Sequence, residues 1–388
     1  MRVVILGAGF GGLELSSRLS EEIGSDPAHD IDIVLIDKSE GFVFGFSKLD
    51  LMFGRADSRV LTHPYAGVVK PGVEFVQTTV VSIDPESRRV VTEAGTYEAD
   101  ILVVALGADL VPEATPGLVE GGNEFYTVAG AGVCGQALAA FSGGDVVVGV
   151  TSTPFKCPPA PSETALLVND FLLERGLRDS SSVTLVMPLP VPVPPSPDAS
   201  AAILGAFAER GITWHPGALV REVDGARKVV LLSDGEELAY DLLLAVPMHR
   251  APQVVLDSGM AEDGWIPVDP LSLETRFPGV YAVGDVTSVG TPKAGVFAEG
   301  QAAVVADRII ANVRGATTTA AYDGHGICYM EFGHDMIAKV DVTFTRGERP
   351  VGSLQGPSVD LMGDKNDFGT SRVQKWFGRT WDRETTLG

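Results

Sequence analysis

Gly7-Ala8-Gly9-Phe10-Gly11-Gly12 leaves this chain few folds to choose from. The loop follows a β-branched and apolar run, Val3 to Leu6, and opens a helical pattern through Leu13, Leu15 and Leu19. In the order strand, glycine turn, helix, the glycines serve a tight turn, close backbone approach to a pyrophosphate and close helix packing, while the helix N-terminus favours negative charge. The next buried strand, Ile31 to Ile36, ends at Asp37 and Lys38, where Asp37 is placed to accept the hydrogen bonds of a ribose diol. Nicotinamide and flavin dinucleotides share this half-site, so the fingerprint alone does not choose between them.

A later strand, Ile101 to Ala105, leads into Leu106-Gly107-Ala108, and a second strand-turn-helix unit follows, with Asp145 to Val150 as strand and Ser162 to Leu173 as helix. Between them the turn carries Pro154, Pro158 and Pro159, which lack the N–H groups that a pyrophosphate needs. The strand Val183 to Met187 then ends in Met187-Pro188-Leu189-Pro190, with neither a carboxylate nor an arginine to read a ribose. The second unit reads as a nucleotide fold without its nucleotide.

With 388 residues, 45% of them hydrophobic, the chain can fill several cores. The expected fold class is α/β, two Rossmann-like domains with parallel sheets and a C-terminal interface region. The expected segments are 1–110 and 246–315 for the first domain, 111–245 for the second, and 316–388 for the C-terminal region. A net charge of -22 argues against nucleic acid as a partner. No leader pattern and no apolar run of membrane-spanning length is seen, which gives a cytoplasmic expectation. Cysteines 134, 157 and 328 have no zinc-site spacing, so no metal is expected.

The run Thr275, Phe277-Pro278-Gly279-Val280-Tyr281-Ala282-Val283-Gly284-Asp285, together with the first glycine loop, resembles the flavoprotein disulfide-reductase superfamily. The resemblance implies FAD, with Asp285 on its ribityl chain beside Gly284, and cofactor contacts at Gly7, Gly9, Phe10, Gly11, Gly12, Asp37, Lys38, Ala105, Gly107 and Lys293. Leu106-Gly107-Ala108 stands where such proteins usually have a Thr-Gly pair.

In place of a second glycine loop stands Phe155-Lys156-Cys157-Pro158-Pro159-Ala160-Pro161-Ser162-Glu163. A lysine and a helix start both lower a thiol pKa, so Cys157 is expected as a thiolate. The segment is similar to that of sulfide:quinone oxidoreductases and flavocytochrome c sulfide dehydrogenases, which pair it with a C-terminal cysteine, here Cys328. That resemblance implies attack of hydrosulfide on a Cys157–Cys328 disulfide or polysulfide bridge, leaving a persulfide and a thiolate, Cys157 by preference, that reduces FAD. Glu163 is a candidate acid/base, equally explained as a helix-capping carboxylate. Lys293 would lie near the flavin and a quinone, His249 is carried over weakly, and Cys134 reads as a buried structural thiol.

The expected partners are sulfide and a quinone. Trp376, Phe377 and Trp381, with Arg372, Lys375 and Arg379, suggest an interfacial helix on the inner face of the membrane, against the alternative of a helix packed on the flavin domain or a second subunit of a homodimer. Residues 356–369 read as a lid or flexible link. The competing activities are a type II NADH:quinone dehydrogenase and a flavin electron-transfer subunit with a protein acceptor.

Overall fold

The computed structural model describes residues 1–24, 31–68 and 70–383. Its first sheet is fully parallel, in the order Val280–Ala282, Ile101–Val104, Arg2–Leu6, Asp32–Asp37, Val73–Gln77. Parallel strands covered on both faces need apolar side chains at consecutive positions, and Val3, Val4, Ile5 and Leu6 are all fully buried. Their alternation feeds two cores. Val3 and Ile5 meet the helices Phe10–Leu19 and Gly295–Val313, while Val4 and Leu6 meet an antiparallel meander and the segment around Trp265.

The second sheet repeats the arrangement in the order Asn123–Glu124, Leu242–Val246, Gly144–Val150, Ser181–Met187, Ile212–Pro216, again fully parallel. Counted from Arg2–Leu6 in one unit and from Gly144–Val150 in the other, both sheets place the fourth, first, second and third strands side by side. Both also carry a three-stranded meander before the fourth strand: Val80–Asp84, Arg89–Thr92 and Gly95–Glu98 in one, Val220–Asp224, Val229–Leu232 and Glu237–Ala239 in the other. Two Rossmann-like units of one topology are thus joined, and the outer strand of the first sheet is supplied after the second unit is complete. Pairing of Val280 with Leu102 brings Gly284 and Asp285 to the carboxyl end of the first sheet, where open α/β sheets bind their ligands.

The C-terminal region is a three-stranded antiparallel sheet, His325–Glu331, Ile337–Thr343 and Val351–Ser358, followed by the helix Met362–Phe377. Two expectations are corrected here. Most of 356–369 is the end of the last strand and the start of the helix, rather than a lid or link. The aromatic stripe is not a membrane surface: Trp376 and Phe377 are buried in the first domain's core and Trp381 packs against it. The Trp376 ring meets Phe10 and Phe42 edge-on at 5.3 and 5.5 Å, and its Nε1 donates to Glu14 Oε2 at 3.0 Å. Burial disfavours the Glu14 charge, but bonds from Lys375, Trp376 and Arg18 outweigh it and hold the carboxyl below its ordinary pKa. Arg372 pairs with Glu299 at 2.7 Å and Arg379 reaches His63 at 2.9 Å, so these cations are also committed to protein partners. Among the described residues, no helix is long and apolar enough to cross a membrane.

Trp376→Ala would empty a large side-chain volume and leave Glu14 one donor short, at an expected cost of about 3–5 kcal/mol. Denaturant unfolding checks this; an unchanged midpoint would contradict the packing described.

Candidate active site

The glycine loop divides its work by position. Gly7 has φ +98°, and a Cβ there would lie 2.4 Å from the Ala105 carbonyl oxygen; one at Gly12 would lie 1.9 Å from the Gly7 oxygen. These two glycines let chain approach chain. A Cβ on Gly9 would meet nothing within 4 Å, so that backbone faces open space at the start of the helix. Asp37 braces the turn, accepting the Ala8 N–H on Oδ2 at 2.7 Å and the Ser39 N–H on Oδ1 at 2.8 Å. Beyond the turn runs a cleft of about 1460 Å³, counting its open mouth. Gly9, Phe10, Gly11, Ala105, Gly107, Gly284 and Asp285 line it, and so do Lys293, Cys157, Glu163 and Cys328. Gly7, Gly12, Asp37 and the exposed Lys38 lie outside its wall. A cleft starting at an open glycine turn and passing the half-buried Asp285 fits FAD, which Gly9 and Gly11 would hold at the phosphates and Gly284 and Asp285 at the ribityl chain.

The cysteine loop is stitched to that wall. Cys157 N–H donates to the Lys293 carbonyl at 2.7 Å, and residues 156 and 293 form a parallel bridge. Lys293 is buried, its Nζ donating to the carbonyls of Asp285 at 2.6 Å and Thr287 at 3.1 Å, and it sits 3.3 Å over the Trp265 ring. Cys157 adopts φ +49°, a left-handed conformation that costs a non-glycine residue about 1 kcal/mol or more. Its side chain is open to the cleft although protein surrounds the loop, and Cys328, on the strand His325–Glu331, is half-buried. Both thiols are free.

The expected thiolate at Cys157 is corrected. Burial, then Glu163 and Cys328, push its pKa up; the helix start at Ala160 and a lysine lower it by less. That lysine is Lys48. The sequence neighbour Lys156 turns its Nζ to the Ala108 carbonyl at 3.0 Å instead. Burial and Glu163 likewise push Cys328 up to about 12. His249 is neither a surface nor a cleft residue: it is buried beside Tyr126, Nδ1 on the Pro247 carbonyl at 2.8 Å, and burial holds its pKa down to about 3. Cys134 is fully buried, its thiol 3.3 Å from the Glu124 carbonyl.

Glu163 is more than a capping residue. Buried in the first turn of the helix Ala160–Glu174, it accepts the Glu331 N–H on Oε1 at 2.7 Å. Glu331 in turn binds Lys365 and, at 2.6 Å, Arg55; Asp50 continues the network to Arg383 at 2.9 Å. Burial raises Glu163 to about 7, opposed by Lys365 and reinforced by Glu331. For Glu331, Lys365 and Arg55 outweigh burial and bring the pKa down. Sequence reasoning missed Lys48, Arg55, Glu331 and Lys365. Lys48 and Asp50 had a signal, since each is a charge inside the apolar run of residues 42–53.

A carboxyl whose folded pKa lies above its unfolded value of about 4.3 binds an extra proton when folded, so its contribution to stability falls as pH rises between the two values. Glu163→Gln keeps the acceptor without the charge. Relative to that variant, wild type should lose about 2 kcal/mol of stability from pH 5.5 to 8, measured by denaturant unfolding at both pH values; a pH-independent difference would contradict the raised pKa.

Residues 1–318 match the family described as pyridine nucleotide-disulphide oxidoreductase. A mitochondrial sulfide:quinone oxidoreductase of Dictyostelium discoideum is 25% identical over 344 residues, 84% of this chain and 74% of that one. An NADH dehydrogenase-like protein of Mycobacterium tuberculosis is 30% identical over 306 residues, 74% of this chain and 73% of that one. Among solved structures, the sulfide:quinone oxidoreductase of Aquifex aeolicus shares the fold with a TM-score of 0.84 at 23% identity, covering 97% of this chain and 91% of that one. The chain belongs to the pyridine nucleotide-disulphide oxidoreductase family, and its cofactor is FAD.

Proposed function

We propose that this oxidoreductase takes two electrons from sulfide through Cys157 and Cys328 and passes them to a quinone. The observation that carries the reading is the convergence of two cysteines from distant segments, with Glu163 between acid and base forms near neutrality, on the cleft that fits FAD. In the oxidised pair, hydrosulfide attacks the sulfur of Cys328; the Cys157–Cys328 bond breaks, leaving a Cys328 persulfide and a Cys157 thiolate. Glu163 takes the persulfide proton, the two sulfurs join through the added sulfur atom, and two electrons leave the pair. Hydrosulfide is thereby oxidised to bridging sulfur with release of one proton. FAD, when bound, supplies the two-electron acceptor between the cysteines and the quinone, which becomes quinol on taking up two protons.

The second reading, NADH as donor, is favoured by the resemblance to the mycobacterial NADH dehydrogenase-like protein. Against it stands the second domain's switch point. There the helix Ala160–Glu174 begins Ala160-Pro161-Ser162-Glu163, all four buried, behind Pro158 and Pro159. A buried carboxylate and missing N–H donors occupy the place where a pyrophosphate would bind.

Cys157→Ser and Cys328→Ser should each reduce sulfide-dependent quinone reduction to about 1% of wild type or less while FAD stays bound. Turnover of the purified variants checks this, and full activity in either one would sink the cysteine-pair mechanism.

A further inference from the structure

Lys48 and Lys365 are the cleft-lining cations that neither sequence motif contains, and Lys365 is paired with Glu331. Lys48 sits on the short helix Ser47–Met52, whose other side chains are committed elsewhere: Leu49 and Met52 enter the second domain's core, and Asp50 binds Arg383 and Arg55. The helix is therefore pinned, and the direction left to Lys48 is the cleft, which it lines with Cys157. The other three lysines of that wall are committed to partners, Lys156 to the Ala108 carbonyl, Lys293 to the carbonyls of Asp285 and Thr287, and Lys365 to the Glu331 carboxylate. Among the described residues, no group accepts a hydrogen bond from Lys48 Nζ.

We propose that Lys48 and Cys157 form an anion subsite, in which the ammonium draws the hydrosulfide ion onto the cysteine pair and steadies the Cys157 thiolate left by its attack. The assignment rests on the sulfide reading for the identity of the anion, but not for the existence of the subsite. An ammonium without a partner beside an open thiol favours any small anionic sulfur reagent over its neutral analogue. Burial, then Lys156, bring the Lys48 pKa down to about 8; Glu124, Cys157 and Asp285 oppose that shift, and His249, which also feels Lys48, is neutral. The subsite therefore weakens as pH rises through that value.

The test uses the FAD-loaded enzyme and the variants Lys48→Met and Lys48→Arg. With the cysteine pair first reduced to free thiols and the reductant removed, alkylation of Cys157 is followed by mass spectrometry with iodoacetate, an anion, and iodoacetamide, its neutral analogue. The ratio of the two rates should fall about fivefold or more in Lys48→Met and be kept in Lys48→Arg. An unchanged ratio, or a thiol that neither reagent reaches in wild type, overturns the subsite whatever the electron donor is. With sulfide as substrate, Lys48→Met should raise KM about tenfold with a smaller change in kcat. KM in wild type should climb above pH 8 and stay level in Lys48→Arg, whose guanidinium keeps its charge. A changed alkylation ratio in a protein that does not oxidise sulfide would keep the subsite and reject sulfide as its anion. Should Lys48→Met fail to fold, the comparison of Lys48→Arg with wild type across pH 8 still decides, since parallel KM profiles contradict the proposal.

Discussion

The hydrogen bond from the Cys157 N–H to the Lys293 carbonyl joins the two halves of this site. Cys157 belongs to the second parallel unit, and Lys293 follows the Gly284-Asp285 motif that closes the first. A backbone hydrogen bond contributes only about 1 kcal/mol net. Its importance is geometric, because a parallel bridge fixes both distance and direction. Lys293 extends the constraint through its own bonds to Asp285 and Thr287, so one strip of backbone carries the cysteine, the lysine and the motif aspartate. The left-handed φ at Cys157 is the local cost of turning the chain into this strip.

The architecture around the strip is one topology used twice for different ends. In the first unit the switch point stays open, with a bare glycine at the helix start. In the second the corresponding turn is longer, rich in proline and bent into the neighbouring cleft, and the buried helix start holds Glu163. The same helix N-terminal field that suits an anionic cofactor suits this carboxyl, while burial and Glu331 resist its ionisation. A nucleotide-binding feature thus becomes a titratable wall of the cleft. The C-terminal segment completes it: Glu331, Lys365 and Arg55 balance charge behind Glu163, and Trp376 locks the last helix onto the helix that follows the glycine loop.

Much of this was legible in the sequence. The glycine turn, the apolar strands and the Gly-Asp motif are local signals, each with a backbone requirement that side chains nearby cannot supply, and the structure puts them where those requirements place them. The segment of prolines around Cys157 likewise announced a turn, and one joins the strand Gly144–Val150 to the helix Ala160–Glu174. What could not be read was partnership across the chain. Lys156 is next to Cys157 in sequence, yet the cation acting on its thiol is Lys48, more than a hundred residues earlier. The aromatic stripe at Trp376 and Trp381 has the amphipathic pattern of an interfacial helix, and a buried Glu14 on another helix decides that it faces protein. Periodicity reports that a face is apolar and not what covers it.

In the proposed reaction electrons enter through the cysteine cleft and not through a second nucleotide site. An anaerobic titration of the FAD-loaded protein, following flavin absorbance with sulfide in one sample and NADH in another, decides between the two entry points. Entry through the cysteines predicts bleaching by sulfide, reversal by a quinone and no response to NADH. Bleaching by NADH alone would contradict it and return the second domain to the role of a nicotinamide site.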